Sequence, residues 1–168
     1  MKLTLISLVF TFSFISIVYS ETERTIEPKL EMTFSKIKNL AEKMPLPVVY
    51  YYFGNSALSC GLVLNKHSKT LLPILETETG SMFPYCVEFL DTASFELNSE
   101  KYAVYRYLQR DTRPEPGQKA DDSTFHFVVK YSETSMIPIE TLNAKNPPEA
   151  KKSALDVSKW AVRELTKK

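Results

Sequence analysis

The side chains able to carry covalent or proton chemistry are few. Two cysteines (Cys60, Cys86), two histidines (His67, His126) and the carboxylates Glu76, Glu78, Glu88 and Asp91 make up the candidate set. A cysteine beside a histidine gives a thiolate nucleophile, and two carboxylates across a bond can hydrolyse a glycoside. Local spacing sets up neither arrangement. His67 lies between Lys66 and Ser68 in an expected turn. His126 alternates with the apolar residues of an expected strand, which places it on the solvent side. Two separated histidines do not make a zinc motif, so no metal site is expected. The chain has no G-x-S-x-G elbow, H-E-x-x-H helix or P-loop, and only four glycines, too few to point to a dinucleotide fingerprint. No catalytic residue and no cofactor is expected.

The compartment decides what the cysteines do. The first 20 residues, MKLTLISLVFTFSFISIVYS, carry one charge at Lys2 and then an apolar run too short for a comfortable membrane span. With Val18 and Ser20 before Glu21, they read as a signal peptide over 1–20, leaving a single secreted α+β domain over 21–168. In an oxidising compartment Cys60 and Cys86 form one disulfide, closing a loop of about 27 residues and worth roughly 3–4 kcal/mol by chain entropy. No second apolar run follows, so no membrane span is expected after signal removal. The chain has 21 basic and 20 acidic residues, and loss of Lys2 leaves 20 of each. That balance favours neither nucleic acid nor an anionic surface as partner.

The elements that position these residues follow from periodicity. EPKLEMTFSKIKNLAEKMP places Leu30, Phe34, Ile37, Ala41 and Met44 at helical spacing, with Pro28 in the first turn and Pro45 and Pro47 as stops. Next come VVYYYF, ALSCGLVLN, TLLPILETE, YCVEFLDTASFEL, KYAVYRYLQ and TFHFVVKY, which read as strands joined by short turns. Pro73 marks an edge or a bulge, and RDTRPEPGQKADDS is a charged loop. The expected fold is α+β: an N-terminal helix, an antiparallel sheet of about five or six strands and a C-terminal helix.

Tyr50, Tyr51, Tyr52 and Phe53 cannot all face one core, because strand side chains alternate. Together with Tyr105 and Tyr107 they form a candidate binding surface for a protein or a small apolar ligand.

The closing segment carries a resemblance. Asn146, Pro147 and Glu149 suit a helix start, and Ala150, Ala154, Val157, Ala161 and Leu165 repeat at helical spacing. Over residues 137–168, Pro138-Ile139, Asn143, Pro147 and VSKWAVRE also resemble the opening of a cystatin, with Trp160 in the place of a phenylalanine. The resemblance implies a cysteine protease as partner and a helix followed by antiparallel strands, the order expected over 28–131. Neither a Gln-x-Val-x-Gly hairpin nor a Pro-Trp pair occurs, so it assigns no inhibitory residue.

The leading expectation is a secreted, non-catalytic binding domain with protease inhibition as its main variant. Competing readings are a secreted hydrolase built from His67, His126, Glu88 and Asp91, and a carrier of small apolar ligands.

Overall fold

The computed structural model describes residues 24–25, 30–37, 40–52, 57–77 and 82–167. The expected signal peptide over 1–20, Phe53, the Gly54–Ser56 turn and Glu78 lie outside the described residues.

Among the described residues the strands form two antiparallel sheets. The first holds β1 (Arg24–Thr25), β2 (Leu30–Phe34), β3 (Leu46–Tyr52), β4 (Ser59–Val63) and β5 (Thr70–Leu75), in the order β1-β5-β4-β3-β2. The second holds β6 (Tyr85–Leu97), β7 (Glu100–Arg110), β8 (Asp122–Tyr131) and β9 (Met136–Pro138), in sequence order. A short helix α1 (Glu140–Asn143), a 3-10 turn (Pro148–Lys151) and a longer helix α2 (Ala154–Thr166) follow.

This architecture corrects the expected α+β fold. The C-terminal helix is present, but no helix precedes the sheets among the described residues, and one sheet of about five or six strands is replaced by two. Leu30 to Phe34, the first part of the expected N-terminal helix, is β2, paired from Leu30↔Tyr52 to Phe34↔Val48. The segment carries both periods: Leu30 and Met32 also alternate with Glu31 and Thr33. Isolated helices of this length are marginal in water, whereas β3 offers a full ladder of main-chain bonds and an apolar face.

The sheets share a core. Cys60, Leu62, Leu72 and Ile74 of the first meet Cys86, Phe89, Ala103, Tyr105, Tyr107, Phe127, Val129 and Met136 of the second, all buried. The Tyr105 hydroxyl donates to the Pro45 carbonyl at 2.7 Å, tying β7 to the entry of β3. On the other face of the first sheet Val48, Tyr50, Val63 and Leu71 form a second cluster. Gly61 lies among them, and a Cβ there would stand 2.7 Å from Leu71 Cδ1 and 3.0 Å from Tyr50 Cε1, which keeps a side chain out. The β6–β7 hairpin turns on Asn98 and Ser99, both at positive φ (53° and 65°), the two-residue turn whose twist matches that of paired strands.

Cys60 and Cys86 are bonded, with Cα atoms 5.4 Å apart. The bridge runs from β4 to β6 and so joins the two sheets. Beside it the Cys86 N–H donates to the Leu58 carbonyl at 2.7 Å, and the Thr77 hydroxyl to the Pro84 carbonyl at 2.6 Å.

α2 covers the remaining face of the second sheet, with Ala154, Val157, Trp160 and Ala161 on Val104 and Val128. Its cap is Ser153, whose hydroxyl oxygen accepts the Asp156 N–H at 3.1 Å. The expected start at Asn146 and Pro147 instead leads into the 3-10 turn, which ends at Lys152 before α2 begins. No helix of the described residues is long and apolar enough to cross a membrane.

Candidate functional site

β7 and β8 are covered on both faces, so every second side chain has a fixed destination. Tyr107, Phe125 and Phe127 point toward the first sheet, while Val104, Val128 and His126 point toward the helices. The Tyr107 and Phe125 rings stack at 5.9 Å.

The outer margin of β8 is only partly covered. β9 pairs with Val129–Tyr131 alone, which leaves the preceding half of β8 without a neighbouring strand among the described residues. At the boundary α1 supplies a substitute. Asn143 Oδ1 accepts the Val128 N–H at 2.7 Å, and Asn143 Nδ2 donates to the Val128 carbonyl at 3.1 Å. The carboxamide thus occupies both main-chain groups of Val128 as a strand residue would. The Ile139 N–H also donates to the Val128 carbonyl, at 3.0 Å.

Between this margin and the chain from Glu140 to Asn146 lies a cleft of about 350 Å³. Ile74, Tyr107, Phe125 and Phe127 give it an apolar, largely aromatic floor; Glu140, Asn143 and Lys145 stand at its polar rim. Lys145 is held by Glu164 of α2 at 2.7 Å. Hydrogen bonds from Lys145 and then Lys167 pull the Glu164 carboxyl down to about 2. Lys145 is paired in this way and the exposed Glu140 carboxylate is the rim's other charge, while the aromatic floor suits apolar or neutral polar groups better than ions.

His126 borders the cleft, but its ring is turned inward and buried, not on the solvent side as its alternation implied. Nε2 lies 3.3 Å from the Leu142 carbonyl, and the ring meets Trp160 edge-on at 5.5 Å. Burial pushes its pKa below the usual histidine value; the Leu142 carbonyl opposes this in part. The sequence reading lacked the helix layer that covers this face.

The aromatic residues singled out from sequence do not share one surface. Tyr50 is fully buried on the far face of the first sheet, and Tyr105 is fully buried between the sheets. Burial, with a smaller contribution from Tyr131, holds the Tyr105 hydroxyl far above its ordinary pKa. Tyr51 is half-buried and donates to the Glu31 carboxylate, a bond that raises its own pKa. Phe53 and the ring of Tyr52 lie outside the described residues. Of the four whose side chains are described, Tyr107 alone lines the cleft. Sequence reasoning missed Ile74, Phe125, Phe127 and Asn143. The signal for the two phenylalanines was present in the alternation of TFHFVVKY, but nothing local told that β8 ends a sheet there.

The hydrolase candidates are dispersed. His67 is exposed in the turn after β4, with its N–H on Asn65 Oδ1 at 2.9 Å. Glu88 is exposed on β6. Asp91 and His126 share one cross-strand row, but Arg106 stands between them and takes the Asp91 carboxylate. Both cysteines are consumed by their bridge. No group of three or more metal-ligating side chains occurs among the described residues.

Two other hollows are larger. One, of about 450 Å³, lies by the Glu100–Lys130 ion pair; the other, of about 400 Å³, is lined by Leu58, Met82, Phe83, Tyr85 and Arg113 and adjoins residue 81, outside the described residues. Of these three hollows, the β8 cleft is the one that joins an aromatic floor to an open strand margin among the described residues. No protein-family model, curated protein or solved structure matches the chain.

Proposed function

We propose that this protein is a secreted, non-catalytic binding domain whose site is the cleft beside β8. One observation carries the reading: the stacked Tyr107 and Phe125 rings, with Phe127 and Ile74, floor a cleft of about 350 Å³ with a polar rim. Such a site takes an apolar or aromatic group and orients it by neutral hydrogen bonds. The Cys60–Cys86 bridge, buried at both ends, is compatible with an extracellular setting, and the apolar run after Lys2 supports export. Cysteine-protease inhibition rests on the C-terminal resemblance alone and contributes no residue to this site.

A naphthalene sulfonate probe tests the reading, followed by amide NMR shifts on the full-length chain. Shifts centred on Ile74, Tyr107, Phe125 and Phe127, lost in Ala144→Trp, are expected. Ala144 is exposed at the cleft wall, so the tryptophan fills the space without touching the core. Shifts that cluster elsewhere, or none at all, sink the proposal.

A further inference from the structure

The margin of β8 has a feature that the floor of the cleft does not explain. Both main-chain groups of Val128 point away from β7, because the Asn143 carboxamide and the Ile139 N–H take them. In an antiparallel ladder, residues two apart aim their N–H and C=O the same way. Lys130, two residues on, obeys this rule by pairing with Ile137 of β9. His126 and Thr124, two and four residues before Val128, therefore aim theirs outward as well. Neither residue's main chain bonds to any other strand, loop or side chain of the described residues on that side. His126 lines the cleft with Phe125 and Phe127 on either side.

We infer that the cleft receives an extended polypeptide segment of a partner protein, which adds to β8 as an antiparallel strand at Thr124–His126 in line with β9. The inference rests on the binding reading above and names the partner for it. Two residues of the incoming chain would face Thr124 and His126 and exchange an N–H and a C=O with each, four bonds in all. The residue between them would face Phe125, and its side chain would fall on Phe125, Tyr107 and Ile74. That position calls for an aromatic or large aliphatic side chain, flanked by residues of little charge. Specificity then comes from one pocket and affinity from the main chain, as in strand addition generally.

A second copy of this chain fits the margin less well. α1 and the segment to Asn146 wall the cleft, and a second copy would have to bring its own α1 and the same segment up against them. The free stretch is also short, bounded by Asn143 on one side and by the Arg110–Asp122 ion pair (2.6 Å) on the other. A single peptide matches that length.

The test uses random heptapeptides displayed on phage and selected against the disulfide-bonded full-length chain; enriched peptides are then synthesised. Recovered peptides are expected to carry a central aromatic or large aliphatic residue and to shift the amides of Thr124 and His126. N-methylation of a main-chain N–H flanking that residue should weaken binding about tenfold or more. Thr124→Pro should do the same. It removes an outward donor only, since Thr124 does not use its N–H on β7, and proline is tolerated on an edge strand. Its fold is checked by an unchanged melting temperature, with Ser123→Ala as a control that leaves the margin intact.

The outcomes separate two failures. If the naphthalene probe binds the cleft but no peptide is enriched, or N-methylation leaves affinity unchanged, strand addition is wrong and the cleft stands. If neither probe nor peptide reaches the cleft, both readings fall. Concentration-dependent dimerisation abolished by Thr124→Pro would overturn the proposal in favour of a second copy.

Discussion

Arg106 and Asp91 form an ion pair that fastens α2 to the second sheet. Arg106 Nε donates to Asp91 Oδ1 at 2.5 Å, and Asp91 Oδ2 accepts the N–H of Ala154, the first residue of α2, at 3.1 Å. Arg106 Nη1 reaches the Ala150 carbonyl of the 3-10 turn at 2.9 Å. A carboxylate among the candidates for hydrolysis thus serves a helix N-terminus, where negative charge is favoured.

Asp91→Ala should be costly because it leaves the Arg106 guanidinium buried, with its side chain 10% exposed, and with the Ala150 carbonyl but no counter-charge to face. A loss of about 3 kcal/mol in urea unfolding is expected, at the lower end for such pairs because Asp91 itself is 34% exposed. Asp91→Asn keeps an acceptor for Ala154 and should lose less. Equal losses in the two variants would mean that the retained acceptor contributes nothing and that the charge alone carries the attachment.

Reduction should loosen the packing of sheet on sheet. With a sequence separation of 26, the Cys60–Cys86 bridge is worth about 3–4 kcal/mol in the chain-entropy account. Urea unfolding with and without a phosphine reductant measures it, and near-ultraviolet circular dichroism reports on Tyr105 and Tyr107 between the sheets. Coincident transitions in the two conditions would contradict this role for the bridge.

His126 sets an acid limit. Its pKa is depressed in the folded state, so the unfolded chain binds the extra proton first as pH falls. The stability it contributes is present above the unfolded value of about 6.5 and is lost as pH drops through the lower folded value. The melting temperature of the protein should therefore fall more steeply between pH 7.5 and 5.5 than that of His126→Gln. Parallel profiles would show that the ring titrates as freely folded as unfolded.

Strands of both sheets could be read from the sequence, since VVYYYF, ALSCGLVLN and TLLPILETE fall on β3, β4 and β5. But β2 read as helix, and the division into two sheets did not show. The alternations of KYAVYRYLQ and TFHFVVKY place Ala103, Tyr105 and Tyr107 opposite Tyr102 and Val104, and Phe125 and Phe127 opposite His126, as the strands do. What alternation cannot tell is whether its second face is wet. His126 and Arg106 lie under α2, whose docking is a contact across tens of residues. Leu30 to Met44 misled for a related reason. A helical stripe and a short strand can share apolar positions, and the partner that decides between them, β3, is not a local feature. The cleft itself was half legible: its aromatic floor lay in the pattern, but its margin is defined by where β9 stops.

The path of the bridge also decides what a single backbone cut would do. Any one break between Cys60 and Cys86 leaves a nicked molecule in one covalent piece, because the sulfurs span it. A break in the exposed segment from Asp111 to Lys119 instead releases β8, β9 and both helices from the preceding strands, with only non-covalent contacts to hold the fragments. The first cut leaves the molecule covalently whole, and the second does not. The two can be told apart on a gel, since nicking between the cysteines yields fragments only after reduction.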